Sequence, residues 1–384
     1  MPELLIDTTR LVTRSTRLHS PTGIDRVCLA YVKQYGDCSR AVLHAGRFHA
    51  ILSKEASQDL FSLLLEPDET STRRLAAILA RAMLPSWRER DVAGSMLLNI
   101  GHSGPEKSEY ALWLRRRGLR AIFMVHDLIP VTHPEFCRPV EHARHARRVE
   151  SVLRHAAAVL TNSYSTLRVL SAYADRCGYA LPPTLAVPLA GTALSGDVGD
   201  RPLPEPYFLM LSTIEPRKNH WMILQVWRRL IERLGTAAPR LVIVGRRGWE
   251  CENVLDMLDR SDVLRGYVLD KNQCSDAEVK THLYHCTALL FPSFVEGYGL
   301  PLVEALSMGV PAIASDLPVF HEIAGDVPEY LDPLDGLGWM SRIESFAEPD
   351  SEARSDQLLR MRVFQAPTWD EHFSKFERLL ESIC

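Results

Sequence analysis

The stretch FVEGYGLPLVEALSMG, residues 294–309, sets two carboxylates, Glu296 and Glu304, eight positions apart across a glycine-rich turn and a proline. Pro301 has a preset φ and needs no amide hydrogen. A helix is therefore predicted to begin near Leu300 and, with Gly309 as its C-cap, to run about two and a half turns. Glu304, one helical turn past Leu300, leans back toward the helix start, because helical side chains tilt toward the N-terminus. A carboxylate there cannot bind phosphate, but it can accept two hydrogen bonds from a ribose diol. Glu296 follows the apolar run TALLFPSF and precedes two glycines. In a doubly wound sheet that is where a ligand meets the amides of the next helix. A well-capped helix accounts for Pro301 and Gly309 without any ligand, and accounts less well for Glu296.

A nucleotide held by those carboxylates needs a cation from another strand end. LSTIEPRKNH (211–220) supplies Arg217 and Lys218 just ahead of a predicted helix. A charge-assisted contact from either one to a diphosphate would neutralise charge that builds up as the diphosphate departs. FMVHDLIPVTHP puts His126 and Asp127 at a strand end, as candidates for polar contact to a substrate. SPTGIDRV (20–27) places Gly23 in a loop before a helix, where a backbone can approach phosphate. Each motif alone also has an ordinary structural account: a solvated helix start, a satisfied histidine, a turn glycine. No GxGxxG or Walker loop occurs, which argues against NAD-dependent and P-loop chemistry. No Asp-x-Asp occurs either, so neither metal nor cofactor is expected and the diphosphate would be handled without a metal ion.

These residues need strands to carry them. Apolar runs alternate with helical stretches: ELLID, AVLHAG, SMLLNIG, RAIFMVHD and AAVLTNS, then YFLMLST, RLVIVGR, TALLFPS and PAIASD. Continuous apolar strands alternating with helices indicate buried parallel sheets, hence an α/β protein. At 384 residues the chain exceeds what one core usually organises. The Gly-, Pro- and Asp-rich stretch 191–206 is expected to link two Rossmann-like domains, 1–190 and 207–366. A final helix over 367–384, capped by Thr368, presents Trp369, Phe373, Phe376, Leu380 and Ile383 at helical spacing and is expected to return to the first domain.

Charge is uneven. Residues 1–190 carry 25 Lys and Arg against 18 Asp and Glu, and residues 191–384 carry 19 against 30. The basic half suits an anionic partner such as a membrane surface or a diphosphate, or a plainly solvated face. Aromatics are not interleaved with the basic clusters, so nucleic acid is not expected. The eight cysteines show no metal-ligand spacing, and no apolar run reaches bilayer length. Together with the absence of an apolar leader at the N-terminus, this leads to the expectation of a protein that works in the cytoplasm.

On these motifs the chain resembles the retaining GT-B glycosyltransferases of family four, which include mannosyltransferase-like bacterial enzymes of lipopolysaccharide O-antigen, capsule and exopolysaccharide assembly. The likeness covers most of the chain and is strongest over residues 207–316. It rests on STIEPRKNH, VGRRGW, LRGYVLD, PSFVEGYGLPLVEALSMGVPAIASD and, in the first domain, TGIDRV with VHDLIP. It implies two Rossmann-like domains facing across a cleft, the first binding acceptor and the second the nucleotide sugar. Glu296 would contact hydroxyls of the donor sugar, and Glu304 the ribose. Lys218, helped by Arg217, would neutralise the diphosphate, with amides around Gly297, Tyr298, Gly299 and Leu300 and near Gly23 completing the cradle. His126 would touch the transferred sugar near the reacting carbon, with Asp127 on the acceptor side. Gly245, Arg246, Tyr267 and Val268 would border the nucleobase.

Many members carry a Gly-Arg pair where this sequence has Ser212 and Thr213, so Arg217 would stand in for that arginine or Lys218 would act alone. The expected donor is a nucleoside diphosphate sugar, GDP-mannose first. The expected acceptor is a glycan on a polyprenyl diphosphate at the inner membrane face. Transfer with retention would proceed by front-face attack, the departing diphosphate taking the acceptor's proton, with Glu296 as a covalent nucleophile the alternative. The basic patches 113–120 and 144–155 fit peripheral attachment to that membrane, and amphipathic solvated helices explain them as well. A GT-B epimerase or phosphorylase, or a non-catalytic nucleotide-sugar-binding partner of a synthase complex, are the other functions compatible with the same motifs.

Overall fold

A computed structural model describes residues 2–15, 22–46, 48–68, 70–82, 92–191, 194 and 196–383. Ser20 and Pro21 of the glycine loop, Thr192, Ala193 and Ser195 of the expected linker, and Cys384 lie outside them. The chain divides into two compact units. The first comprises Met1–Thr132, Pro139–Leu189 and Trp369–Cys384, and the second His133–Arg138 and Ala190–Thr368.

The first unit is built on a seven-stranded sheet of β1 (Leu4–Asp7), β2 (Ser39–Ala45), β3 (Phe48–Ile51), β4 (Met96–Asn99), β5 (Arg120–Val125), β6 (Ala156–Thr161) and β7 (Thr184–Ala186), in the order β3-β2-β1-β4-β5-β6-β7. Only the β2–β3 pairing is antiparallel. Its helices are α1 (Thr9–Ser15), α2 (Gly23–Tyr35), α3 (Lys54–Leu65), α4 (Ser71–Ala82), α5 (Ser108–Arg117), α6 (Ile129–Thr132), α7 (Glu141–His155) and α8 (Tyr164–Cys177). Central strands such as β4, MLLN, are buried along their whole length, as strands covered on both faces must be.

The second unit holds a fully parallel six-stranded sheet of β8 (Tyr207–Leu211), β9 (Arg240–Val244), β10 (Val268–Lys271), β11 (Leu289–Phe291), β12 (Ala312–Ser315) and β13 (Glu329–Leu331). Around it run α9 (His220–Leu234), α10 (Glu252–Arg260), α11 (Asp276–His285), α12 (Leu300–Ser307), α13 (Pro318–Ala324), α14 (Gly336–Ala347) and α15 (Glu352–Met361). Successive strand residues point to opposite faces. Tyr207 and Leu209 join Leu283, Leu302 and Ala305 on one side, while Phe208 and Met210 join Trp227 and Trp339 on the other. The strand order is β10-β9-β8-β11-β12-β13, so the winding reverses between β8 and β11. At such a reversal the helices leave on opposite faces and a crevice opens outside the strands' carboxyl ends. The segments after β8 and β11 are those that carry Lys218 and Glu296.

Helix α16 (Trp369–Ile383) packs within the first unit. Tyr31 and Tyr35 of α2 meet Phe373 and Phe376 edge-on, and Tyr31 Oη lies 2.9 Å from His372 Nε2. His372 shares the buried face with Phe373, Phe376 and Leu380, a polar member that hydrophobic spacing does not select. The stretch expected as a linker docks on the second unit. Leu194 enters its core, and the Gly199 amide donates to Thr281 Oγ1 at 2.9 Å.

Candidate functional site

The turn after β8 is tied down at both ends. Pro216–Lys218 forms a 3-10 turn, and Asn219 takes a left-handed φ of 56° with Nδ2 donating to the Pro333 carbonyl at 2.7 Å. The Phe294 amide donates to the Arg217 carbonyl at 2.9 Å, which fastens the β8 turn to the loop after β11. On that loop Gly299 adopts φ 141°, and a Cβ there would lie 2.9 Å from the Phe320 ring, so only glycine fits. Helix α12 then runs for two turns, ending at Ser307 rather than reaching Gly309. Gly309 is the left-handed residue just beyond the Met308 cap. The Val310 amide bonds the Ala305 carbonyl and the Gly309 amide the Leu306 carbonyl, a Schellman ending.

These two segments bring Glu296, Lys218 and Arg217 together. The Glu296 carboxylate accepts from Arg217 Nη1 at 2.7 Å, from Lys218 Nζ and from Ser293 Oγ at 2.7 Å. Arg217 Nε also pairs with Glu215 at 2.6 Å, and Lys218 Nζ lies 4.9 Å from the centroid of the Phe291 ring. Burial alone would raise the Glu296 carboxyl, yet Arg217 and Lys218 outweigh it and hold the group at about 2. Burial, with Arg217 adding to it, lowers Lys218, and burial raises Glu215. The cations expected for phosphate are thus engaged by carboxylates. Glu304 is buried on α12, and a Cβ on Gly191 would lie 3.6 Å from its Cγ. Glu215, Ser293 and Gly191 were not singled out from the sequence, although Glu215 stands in the quoted EPRKN motif and Ser293 in the quoted strand run.

Gly245 and Arg246 follow β9 and pack against the β8 turn. The Ile214 amide donates to the Arg246 carbonyl at 2.9 Å, and a Cβ on Gly245 would come within 1.9 Å of the Ser212 carbonyl oxygen. The expected nucleobase border at Tyr267 and Val268 needs correction. Val268 pairs with Leu241 at the amino end of β10, and Tyr267 lies beneath the guanidinium of Arg240. The residue facing Gly245 is Lys271, whose carbonyl accepts the Gly245 amide at 3.1 Å. Tyr267 and Val268 therefore sit at the amino edge of the sheet, opposite the carboxyl edge that leads to Lys218 and Glu296.

In the first unit Gly23 begins α2 behind a capping box in which Thr22 and Asp25 bond reciprocally, and Arg10 and Arg14 pair with Asp25 at 2.7 Å. His126 follows β5 and is buried, with Nε2 donating to the Ile100 carbonyl at 2.8 Å. Its amide donates to His102 Nε2 at 3.2 Å, while His145 Nε2 donates to the Asp127 carbonyl at 3.0 Å. Burial pushes His126 down to about 4, and His102 lower than its ordinary value as well, so the cluster is neutral. Asp127 uses Oδ1 to accept the Ile129 amide at 3.0 Å, capping α6. His102, at φ 61°, was also passed over, although the strand-end GHSG containing it carries the same signal as the His126 motif. Among the described residues no group of three or more His, Cys, Asp or Glu is placed to hold a metal ion. No helix among them is long and apolar enough to cross a membrane.

Two Rossmann-like units, the first on a mostly parallel sheet and the second on a fully parallel one, are the GT-B class of α/β fold. Structural comparison agrees: HepE of Anabaena, solved in complex with UDP, superimposes with a TM-score of 0.68 over 100% of both chains at 14% identity, a likeness of fold. Residues 197–327 match the family described as "Glycosyl transferases group 1". The serotype-specific mannosyltransferase WbdA of Escherichia coli is 28% identical over 275 residues, 65% of this chain and 33% of WbdA. The O-antigen chain mannosyltransferase B of E. coli is 34% identical over 129 residues, 34% of this chain and 33% of that protein. The match spans about a third of the length of these curated relatives.

Proposed function

We propose that the chain is a retaining glycosyltransferase that moves a sugar, mannose first, from a nucleoside diphosphate donor to a glycan acceptor in O-antigen, capsule or exopolysaccharide assembly. The observation that carries this is the Glu296 carboxylate, kept ionised by Arg217 and Lys218 at the switch point of the stretch that matches the group 1 family. An ionised carboxylate there can accept from donor-sugar hydroxyls, and the amides of the Gly297–Leu300 turn can face the donor's phosphates. Glu304 takes the ribose. His126 and Asp127 act on the transferred sugar and the acceptor, and Gly23 offers its amide to phosphate. Fixed charges of this kind stabilise a departing diphosphate without a protein nucleophile. The mannosyltransferase relatives support mannose and, by its common carrier, GDP. A lipid-linked acceptor, with peripheral attachment to the inner face of the plasma membrane, suits the basic first half.

Thermal shifts with GDP-, UDP- and dTDP-sugars test the donor. The UDP arm matters because HepE was solved with UDP. A donor at 100 times its dissociation constant stabilises by roughly 2.7 kcal/mol. Glu304→Ala is expected to weaken nucleotide binding, and Glu296→Ala chiefly to lower turnover, with the product's anomeric configuration read by NMR coupling. Donor binding and rate unchanged in both variants would overturn the site, and an inverted product would overturn retention.

A further inference from the structure

We propose that Arg246 is the cation that neutralises the donor's diphosphate, an inference that rests on the nucleotide-sugar function proposed above. It follows from the charges at the carboxyl edge of the second sheet. Arg217 is spent on Glu215 and Glu296 and also donates Nη1 to the Val295 carbonyl at 3.2 Å. Lys218 is spent on Glu296 as well. Two cations meet two carboxylates there, so the cluster offers no net positive charge to an incoming anion. Glu304 adds a further carboxyl to the same sheet edge.

One strand over, Arg247 is consumed in the same way. It holds Asp259 through both terminal nitrogens at 2.6 and 2.9 Å, and Asp270 through Nε at 2.9 Å. Lys271, at the end of β10, accepts the Gly245 amide at its carbonyl at 3.1 Å, and its single ammonium lacks the paired donors of a guanidinium. Arg246 differs from Arg217, Lys218 and Arg247. It is half-buried, and its guanidinium has no hydrogen bond or ion pair among the described residues.

Its backbone is also held rigidly where such a charge is needed. The Arg246 carbonyl accepts the Ile214 amide, one residue before Glu215. The preceding Gly245 sits at φ 154° with no room for a Cβ against Ser212. The residues of the β8 turn that lie against Gly245 are Ser212 and Thr213, neither of them charged. An arginine's planar fork suits two phosphate oxygens at once, which an uncharged hydroxyl cannot match.

Calorimetric titration of the full chain with GDP and UDP, and with guanosine and uridine, tests the assignment. The nucleoside diphosphate that the wild type prefers is expected to bind Arg246→Ala tenfold or more weakly, with a shallower salt dependence. The matching nucleoside should bind both proteins alike, and Arg246→Lys should recover part of the loss. Equal binding of the diphosphate by Arg246→Ala and wild type overturns the inference, as does an equal loss for nucleoside and diphosphate, which would make Arg246 a base contact. A larger loss in Arg217→Ala than in Arg246→Ala overturns it too, since Arg217 would then leave Glu296 for the phosphates. A wild type that binds no nucleotide defeats the proposed function itself, a different outcome from a wild type that binds and a variant that binds equally.

Discussion

Glu296 is surrounded by charge that the sequence displays only in part. Its place after an apolar strand, and the adjacent Arg217 and Lys218 after another, are visible as types and spacing. That they meet is not visible, because the contact joins positions 78 apart and depends on β8 and β11 lying side by side. The consequence is energetic. Removing one partner of a buried ion pair leaves the other charge uncompensated, at a cost of about 3–5 kcal/mol. Glu296→Ala is therefore expected to lower the urea midpoint markedly as well as the rate, and Glu296→Ala/Lys218→Met to regain stability without regaining rate. Equal stability of Glu296→Ala and wild type would show that the cluster is not coupled as drawn.

At the scale of elements, the buried strands were legible because full coverage demands unbroken apolar runs. The strands missed, β3, β7, β10 and β13, are three or four residues long, and none is buried throughout. A short run exposed along one side carries little hydrophobic signal. The resemblance alone put Tyr267 and Val268 at the nucleobase, and only the register Val268↔Leu241 says which end of β10 they occupy. Tyr267→Ala is accordingly expected to leave nucleotide affinity unchanged in a titration. The β9 turn makes the opposite demand. Gly245→Ala would drive a methyl group into the Ser212 carbonyl, and the backbone must move to relieve it. We expect that variant to lose at least about 1 kcal/mol of stability and to bind nucleotide more weakly by displacing Arg246, measured as urea midpoint and affinity together. Retained affinity would mean that the turn does not position the site.

Over the whole molecule, burial leaves many histidines neutral, a property no spacing announces. His126 and His372 are both held down to about 4, chiefly by burial, and His102, His145, His220 and His282 are lowered as well. The hydrogen bonds of His372 fit the neutral ring that burial favours. His372 Nδ1 donates to the Pro188 carbonyl at 2.9 Å, so Nε2 must accept from Tyr31 and is not available for a proton. When the folded pKa lies below the unfolded one, the unfolded chain takes up protons first on acidification. Stability is then full above about 6.5 and falls as pH drops toward 4. One unit below 6.5, His126 and His372 each remove roughly 1.4 kcal/mol. His44 has the opposite sign: burial disfavours its charge, but Asp7 at 3.2 Å raises it, so its contribution is present at acid pH and lost as pH rises. The depressed groups outnumber it, so the urea midpoint is expected to fall between pH 7.5 and 5.5. His372→Gln, which keeps one donor and one acceptor, should remove about its share of that fall. A midpoint that holds steady or rises on acidification would mean that these imidazoles take up protons in the folded chain as readily as in the unfolded one.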